Sequence, residues 1–264
     1  MRSSKPYVTL IIILIIFALI MLLLVARKNI KEEKVETTII VGDTSVWNYT
    51  KKRWINVKKS STISSINWEK FQVYENNKYL GEYSTWYDSD ASKWYYFDNE
   101  KDYITPNGKV LAYKSNSEIK IDEYEEKEIS ASDKQFINHV LEENKISTSA
   151  KFTSNYKVEI DFDNDSKNET FYVLTNTFPT EFEPDQIFSI VFMVKDNKIY
   201  YLYKSIDDNK VNNGCKPYFN YFFDLNNDKV DEIVLSCGRY SEKGTIDMLY
   251  KFIDNEFKIQ ISNQ

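Results

Sequence analysis

Residues 7–26 form an unbroken apolar run, and this run constrains the fold more than any other feature of the sequence. It reads YVTLIIILIIFALIMLLLVA, contains no charged residue and has Thr9 as its one clearly polar side chain. At about 1.5 Å per helical residue the run is roughly 30 Å long, which is the thickness of the hydrocarbon core of a bilayer. A cleaved signal peptide has a shorter apolar stretch followed by small residues, whereas this run continues directly into Arg27 and Lys28. We therefore predict a transmembrane helix over residues 7–26, with the lipid bilayer as its partner.

The residues that flank the run predict two opposite orientations. Basic residues are more numerous after the run than before it, which by the positive-inside rule favours a cytoplasmic carboxyl-terminal region. The six-residue amino-terminal segment, in contrast, is typical of a signal anchor that keeps a short tail in the cytoplasm. We predict a cytoplasmic tail over residues 1–6, a stalk over residues 27–38 and an extracytoplasmic region beyond it. The chain is then a single-pass protein of the cell membrane.

The region after the run is acidic and rich in strand-forming residues. Residues 29–264 contain all 40 acidic residues and all but four of the 34 basic ones, which gives a net charge of about −10. This charge argues against nucleic acid and anionic lipid as partners. Aromatic residues make up 16% of the chain, and short alternating runs of Tyr, Phe, Ile and Val favour strands. The predicted fold class is mainly β, with antiparallel strands.

Turn residues between short apolar runs predict hairpins in the first part of this region. Asn76-Asn77 separates FQVY from YLGEY, and residues 89–92 separate WYD from WYYFD. Asn pairs adopt the left-handed turns that join neighbouring antiparallel strands. We predict a β-rich domain over residues 39–129, with the acidic, alternating residues 118–128 as an exposed strand.

One segment has the pattern of a soluble helix. Ser132 and Gln135 have the spacing of a capping box, in which each side chain satisfies a free backbone N–H of the first turn. The apolar residues that follow recur at helical spacing. We predict a linking helix within residues 130–146, followed by further strands over residues 150–264.

The carboxyl-terminal strands contain an internal duplication. The string DFDND begins at Asp161 and precedes the strand FYVLT, and the string DLNND begins at Asp224 and precedes the strand EIVLS. In each copy a second apolar run follows, ends in Asp-Asn and returns as a third strand. The repeated unit is therefore loop, strand, connection, strand, tight turn and strand. We refer to residues 161–169 as the first loop and residues 224–232 as the second loop.

The spacing of oxygen-bearing side chains in both loops predicts candidate calcium sites. Calcium takes six to eight oxygen ligands, and oxygens at positions 1, 3 and 5 of a tightly curled loop converge on one point. A backbone carbonyl at position 7 and a carboxylate at position 9 complete the set. The candidate ligands are Asp161, Asp163, Asp165, the carbonyl of Lys167 and Glu169 in the first loop, and Asp224, Asn226, Asp228, the carbonyl of Val230 and Glu232 in the second.

Residues 155–264 resemble the FG-GAP or VCBS-type repeats, in which a D-x-D-x-D-G-x-x-D/E loop leads into a β-strand. The resemblance implies calcium-binding loops and strands arranged as blades of a β-propeller used in adhesion or ligand binding. The chain departs from the pattern at position 6, where Ser166 and Lys229 replace glycine. Two units are also too few to close a propeller. The alternative interpretation is that Asp and Asn serve only as turn formers, and that the loops bind no metal.

Two cysteines, Cys215 and Cys237, flank one candidate strand region. In an extracytoplasmic domain such a pair is a candidate disulfide. The alternative is two free, buried thiols, because the sequence does not give the Cα separation that a disulfide requires.

The sequence contains a single histidine, His139, which we interpret as a solvated residue of the linking helix. Catalysis by a Ser/His/Asp or Cys/His arrangement would have to use it, and a transition-metal site would lack its usual ligands. With six glycines in the chain, no phosphate-binding glycine loop occurs. We therefore predict no catalytic residues and no cofactor besides the candidate calcium.

Together these features predict a non-enzymatic, membrane-anchored extracytoplasmic binding or scaffold protein. Its partner is an unidentified protein or envelope ligand. One alternative is a cell-envelope glycan hydrolase, because 40 acidic residues always allow some pair of carboxylates. Another alternative is a regulatory membrane protein that faces the cytoplasm, which the reversed topology would favour.

Overall fold

The structure is a computed structural model and describes thirteen stretches of the chain. They are residues 37–43, 45–50, 53–57, 63, 66–99, 102–104, 106, 108–115, 118–177, 187–207, 215–225, 228–239 and 245–263. The predicted tail and transmembrane helix lie outside these residues. Within the described residues, no helix is long and apolar enough to cross a membrane. The predicted stalk also lies outside, except for its last two residues, Thr37 and Thr38, which belong to a buried strand.

The described residues are mainly β, which confirms the predicted fold class at that level. The strands are β1 (Thr37–Val41), β2 (Ser45–Thr50), β3 (Arg53–Asn56), β4 (Lys70–Glu75), β5 (Lys78–Asp88), β6 (Lys93–Asn99), β7 (Asp102–Ile104), β8 (Val110–Lys114), β9 (Lys120–Asp122), β10 (Glu126–Lys127), β11 (Ser154–Ile160), β12 (Glu169–Asn176), β13 (Ile187–Lys195), β14 (Lys198–Asp207), β15 (Cys215–Asp224), β16 (Glu232–Arg239), β17 (Thr245–Ile253) and β18 (Glu256–Ser262). A 3-10 turn over Ala131–Asp133 leads into the α-helix α1 (Lys134–Glu143).

Among the described residues, all pairs of neighbouring strands are antiparallel, and the strands form three sheets. Sheet 1 has the order β3-β2-β1-β8-β4-β5-β6-β7. Sheet 2 has the order β10-β11-β12-β13-β14, and sheet 3 has the order β9-β15-β16-β17-β18. The hairpin predicted at Asn76-Asn77 is present between β4 and β5, and both of its turn residues have positive φ. The second predicted hairpin joins β5 to β6.

The acidic segment 118–128 differs from the single exposed strand that the sequence predicts. It forms two short strands that belong to different sheets, because β9 pairs with β15 and β10 pairs with β11. The segment therefore contributes one short strand to sheet 3 and one to sheet 2. The described residues all belong to one compact unit.

The linking helix is present, but its capping interactions begin earlier than predicted. Instead of Ser132 and Gln135, the interacting pair is Ser130 and Asp133, whose carboxylate accepts hydrogen bonds from the Ser130 backbone N–H and hydroxyl, both at 2.7 Å. The same carboxylate accepts a 2.8 Å hydrogen bond from the Tyr172 hydroxyl and pairs with Lys157 at 3.1 Å. Burial disfavours ionisation of Asp133, but these hydrogen bonds outweigh it and lower its pKa to about 2. A carboxylate accepts stronger hydrogen bonds than the Gln135 amide, which explains the earlier start.

The core is divided among the faces of the sheets, so that sheet 3 is covered on both sides. Alternate residues of β16 point to opposite faces: Leu235 contacts the core shared with sheet 2, whereas Val234 contacts the core shared with sheet 1. Sheet 2 is also covered twice, since Phe171 faces sheet 3 and Tyr172 faces α1. The layers are therefore α1, sheet 2, sheet 3 and sheet 1, in that order.

Candidate functional site

The two duplicated loops occupy equivalent places in sheets 2 and 3. The first loop joins β11 to β12, and the second joins β15 to β16. In the first loop, the Asp161 carboxylate accepts hydrogen bonds from the backbone N–H groups of Asp165 and Ser166, both at 3.0 Å. In the second, Asp224 accepts the equivalent bonds from Asp228 and Lys229, at 3.2 Å and 2.9 Å.

The residue at position 6 has the same unusual backbone conformation in both loops. Ser166 and Lys229 each have a φ of 70°, in the left-handed region that favours glycine. These are the two positions where the resemblance to the repeat family leads us to expect glycine. A left-handed residue at position 6 is therefore a feature that the two loops share.

A buried glutamate ends each loop at position 9. Glu169 is 3% exposed and Glu232 is 2% exposed, and burial raises the pKa of both carboxyl groups. Each also accepts a hydrogen bond from a backbone N–H inside its own loop, from Phe162 at 3.4 Å and from Leu225 at 3.0 Å. The glutamates thus fix the start of each loop to the start of the following strand.

In the first loop the carboxylates converge on a lysine. The ammonium group of Lys195, at the end of β13, lies 2.7 Å from Asp163 Oδ2, 2.7 Å from Glu169 Oε1 and 3.4 Å from Asp165 Oδ2. Burial alone would lower the pKa of Lys195, but the bonds to Asp163 and Glu169 raise it above the usual value for lysine. The lysine is therefore charged and neutralises part of the loop.

The second loop has the same arrangement with a different lysine. The ammonium group of Lys251, in β17, lies 2.7 Å from Asp228 Oδ2 and 3.1 Å from Glu232 Oε1. Burial opposes its charge, and the hydrogen bond with Asp228 together with the charge of Glu232 raises its pKa. Asn226, the remaining predicted side-chain ligand of this loop, lies outside the described residues.

The predicted calcium ligands come together in part. Carboxylate oxygens of Asp161, Asp163 and Glu169 lie within 4.8 Å of one another. The residues at position 7 contribute their N–H groups, since Lys167 donates to Asp165 at 2.9 Å and Val230 donates to Asp228 at 3.1 Å.

In the first loop, donors of the chain itself already contact most of the candidate calcium ligands. Calcium requires six to eight oxygens at about 2.3–2.6 Å. In the first loop both Asp161 oxygens accept backbone N–H groups, and Asp163 Oδ2 and Glu169 Oε1 contact the Lys195 ammonium. Asp163 Oδ1 is buried without a hydrogen-bond partner among the described residues, and a calcium ion bound here would have to displace the Lys195 ammonium from Asp163 and Glu169.

Neither Lys195 nor Lys251 was predicted from the sequence to belong to a loop. Lys195 directly precedes the Asp196-Asn197 turn, whereas Lys251 lies three residues before the Asp254-Asn255 turn, so that aligning the copies by their turns does not superpose them. The signal that would have found them is cross-strand pairing with the glutamate of each loop, which requires the register of the strands.

A third cluster lies where the two loops meet. The side chain of Asp231, at the end of the second loop, is fully buried, and no described group donates a hydrogen bond to either carboxyl oxygen. Burial and the neighbouring negative charge of Asp122 raise the pKa of Asp231 to about 9. A protonated Asp231 can donate a hydrogen bond to Asp122, whose other partner is the Lys120 ammonium at 2.8 Å.

Strands β5, β6 and β7 of sheet 1 have, together with Trp68, a row of contacting aromatic rings, which we call the aromatic strip. Its members are Trp68, Phe97, Tyr103, Tyr95 and Trp86, in that order, with successive ring centroids 5.3, 5.7, 5.2 and 5.8 Å apart. Trp68 is 55% exposed and Tyr103 is 56% exposed. Two rings of the strip are therefore open to solvent, and the other three are half-buried.

The remaining predictions concern single residues. His139 is exposed on α1, beside a groove that Glu143, Tyr200 and Tyr201 also line. Cys215 and Cys237 form a disulfide across β15 and β16, with their Cα atoms 5.4 Å apart. This separation is within the range that disulfides require, so the pair meets the condition that the sequence left open.

Comparison with other proteins adds no relative. No protein-family model, no curated protein and no solved structure matches this chain.

Proposed function

We propose that this chain is a single-pass membrane protein whose β-rich unit lies outside the cytoplasm and binds a component of the cell envelope without catalysing a reaction. The observation that carries the proposal is the disulfide between Cys215 and Cys237. Disulfides persist in oxidising compartments and are rare in the cytosol. The apolar run over residues 7–26 has the length and composition of a membrane anchor.

The disulfide also bears on the choice between the two orientations. The excess of Lys and Arg after residue 26 favours a cytoplasmic carboxyl-terminal region. A cytoplasmic location would expose the Cys215–Cys237 pair to the thiol-reducing systems of the cell. The short amino-terminal segment and the disulfide together support the extracytoplasmic orientation.

The aromatic strip supports a binding role. Contiguous exposed apolar surface is uncommon on soluble regions of proteins and marks interaction sites. Tyr and Trp are enriched at such sites because they bring a large apolar area and a polar group in one rigid side chain. Trp68 and Tyr103 provide both at exposed positions, and the half-buried Trp86 lies at the other end of the row.

The carboxyl groups that converge support binding more than hydrolysis. A glycoside hydrolase needs two carboxyl groups that reach a bound sugar from opposite sides. Asp231 and Asp122 adjoin, but Asp231 is fully buried. Glu169 and Glu232 are also buried, and each contacts a lysine.

We further infer that β11–β14 and β15–β18 are two degenerate blade units of the FG-GAP or VCBS type. Three features support this inference: the same strand order in sheets 2 and 3, the same spacing across each loop, where Ile160 pairs with Glu169 and Phe223 with Glu232, and a φ of 70° at position 6 of each loop. The two units pack against each other through a shared core that includes Phe171 and Leu235.

The orientation is tested by cysteine labelling of the full chain in intact cells. Thr148 is exposed after α1, and both native cysteines are in the disulfide, so Thr148→Cys provides one accessible thiol. We expect a membrane-impermeant maleimide to label this variant in intact cells. Labelling that requires cell lysis would place the β-rich unit in the cytoplasm and refute the proposal.

The binding role is tested by photo-crosslinking in the same cells. A photoreactive phenylalanine analogue replaces Tyr103 in the aromatic strip, and the same analogue at exposed Glu142 of α1 provides the control. We expect a crosslinked product at position 103 that position 142 does not give. Equal products at both positions, or none at position 103, would show that the strip is not a binding surface.

A further inference from the structure

Each duplicated loop directs carboxylates toward the ammonium group of one lysine, and the two lysines come from equivalent places. We propose that Lys195 and Lys251 are the permanent cations of the two loops, and that both loops keep their conformation without calcium. The carboxylates that the sequence presents as calcium ligands are, on this proposal, ligands of an ammonium group that the chain itself supplies.

The positions of the two lysines follow from strand register. The last paired position of β12 and β13 is Thr170 opposite Val194, so the next residues, Glu169 and Lys195, face each other. In β16 and β17 the last paired position is Ile233 opposite Tyr250, and Lys251 follows in the same way opposite Glu232. Directly opposed residues of an antiparallel pair project to the same face, so each lysine lies beside the buried glutamate of its loop.

The recurrence of this pair is significant because the connections differ in length. Residues 177–186 join β12 to β13, whereas residues 240–244 join β16 to β17. The two lysines therefore lie at different sequence distances from the glutamates that they contact. The shared feature is the position opposite the glutamate, which makes the lysine part of the repeated unit.

The chemistry of the ammonium group matches the first loop. Lysine presents three N–H donors on a compact charge, and three carboxylates from Asp163, Asp165 and Glu169 surround it. Carboxylates at such separations repel one another unless a cation lies between them. Lys195 provides that cation, and it also lies 5.8 Å from the ring centroid of Phe162, which forms one wall of the site.

A calcium ion and the lysine would compete for the same oxygens. Asp163 Oδ2 and Glu169 Oε1 each lie 2.7 Å from the ammonium nitrogen. An ion bound to both oxygens would lie within a few ångströms of a positive charge, which like-charge repulsion disfavours. The same argument applies to Asp228 and Glu232 around Lys251.

The proposal makes the loops independent of the calcium concentration around the protein. A metal-bound loop would be stable only where free calcium is high, whereas a loop closed by its own lysine is stable in any compartment. The proposal therefore holds for either orientation of the chain in the membrane.

The test compares thermal unfolding of the full chain in detergent micelles, followed by circular dichroism, in EGTA and in millimolar calcium. We expect the wild-type Tm to be the same in both. In EGTA, Lys195→Gln and Lys251→Gln remove the charge and should each lower the Tm by about 5–10 °C, because buried carboxylates lose their cation. Lys198→Gln is the matched control, since Lys198 is exposed just beyond the Asp196-Asn197 turn, and its Tm should match the wild type.

Two results would overturn the proposal. A wild-type Tm that rises with calcium would show that the ion displaces the lysines. A Tm for Lys195→Gln and Lys251→Gln equal to that of Lys198→Gln would show that the lysines are not needed as cations. If either variant fails to fold, the wild-type Tm in EGTA and in calcium still tests whether the loops depend on calcium.

Discussion

The backbone N–H of Asp231 donates a 2.8 Å hydrogen bond to the carbonyl oxygen of Phe162, and this bond joins the two duplicated loops. Phe162 is fully buried in the core between sheets 2 and 3 and contacts Phe171 and Phe252, with ring centroids 5.7 Å away in both cases. The junction between the two units therefore combines a backbone hydrogen bond, an aromatic cluster and the buried carboxyl group of Asp231.

Asp231→Asn should stabilise the protein at neutral pH. The pKa of Asp231 is raised from 3.8 to about 9, so the folded state holds a proton that the unfolded state releases. The contribution of this carboxyl group to stability is complete below the unfolded pKa and is lost as the pH rises toward the folded pKa. Asparagine has a similar shape and no charge, and we expect a gain of about 2–4 kcal/mol in the free energy of unfolding at pH 8.

The pH dependence distinguishes this explanation from a general effect of the substitution. Denaturant unfolding of the full chain in detergent should show the advantage of Asp231→Asn growing between pH 5 and pH 8. The exposed residue Asp90 provides the control, and Asp90→Asn should show no such growth. A constant difference across this range would mean that Asp231 does not titrate with a raised pKa.

Ser166→Gly and Lys229→Gly should each stabilise the protein. Both residues have a φ of 70°, where a side chain costs about 1–2 kcal/mol. Glycine removes this cost but adds flexibility to the unfolded chain, so we expect a net gain of up to about 1 kcal/mol. Ser166→Ala retains the Cβ atom and should give no gain in the same denaturant titration. A loss of stability in both glycine variants would show that the loops do not have this backbone conformation.

The turns of this chain illustrate what local sequence signals predict well. Position 6 of each loop, the Asn76-Asn77 turn and the Asp-Asn turns at 196–197 and 254–255 all have positive φ, and all were visible as turn patterns. A turn is determined by the conformational preferences of a few adjacent residues. The antiparallel hairpins then follow from the turns.

Contacts between distant segments were not predictable in the same way. Three residues of β9 and two of β10 read as one exposed strand, because so short a pattern does not specify which sheet edge each pairs with. The alternation of Phe171 and Tyr172 predicts a strand with two faces, but not that α1 covers one face and sheet 3 the other. The same limit hid Lys195, since its partner Glu169 is 26 residues away.

Lys195→Ala should make the first loop responsive to calcium. Removing the ammonium group leaves carboxylates of Asp161, Asp163 and Glu169 within 4.8 Å of one another without their cation. With a Kd of roughly 0.1–1 mM, typical of extracellular calcium modules, 10 mM calcium would restore about 1.4–2.7 kcal/mol. Calorimetric titration of the variant should show binding. Lys198→Ala, in which Lys195 is retained, should show none.

Removing the disulfide should lower stability by about 3 kcal/mol. Cys215 and Cys237 are 22 residues apart, and a cross-link of this span reduces the entropy of the unfolded chain by roughly that amount. The double variant with Cys215→Ala and Cys237→Ala should unfold at a lower denaturant concentration than the wild type. A reductant should bring the wild type toward the double variant and leave the double variant unchanged. Reaction of the thiols with a maleimide confirms that the reductant has opened the disulfide. If the wild type then still unfolds at the same denaturant concentration, the cross-link does not stabilise the fold.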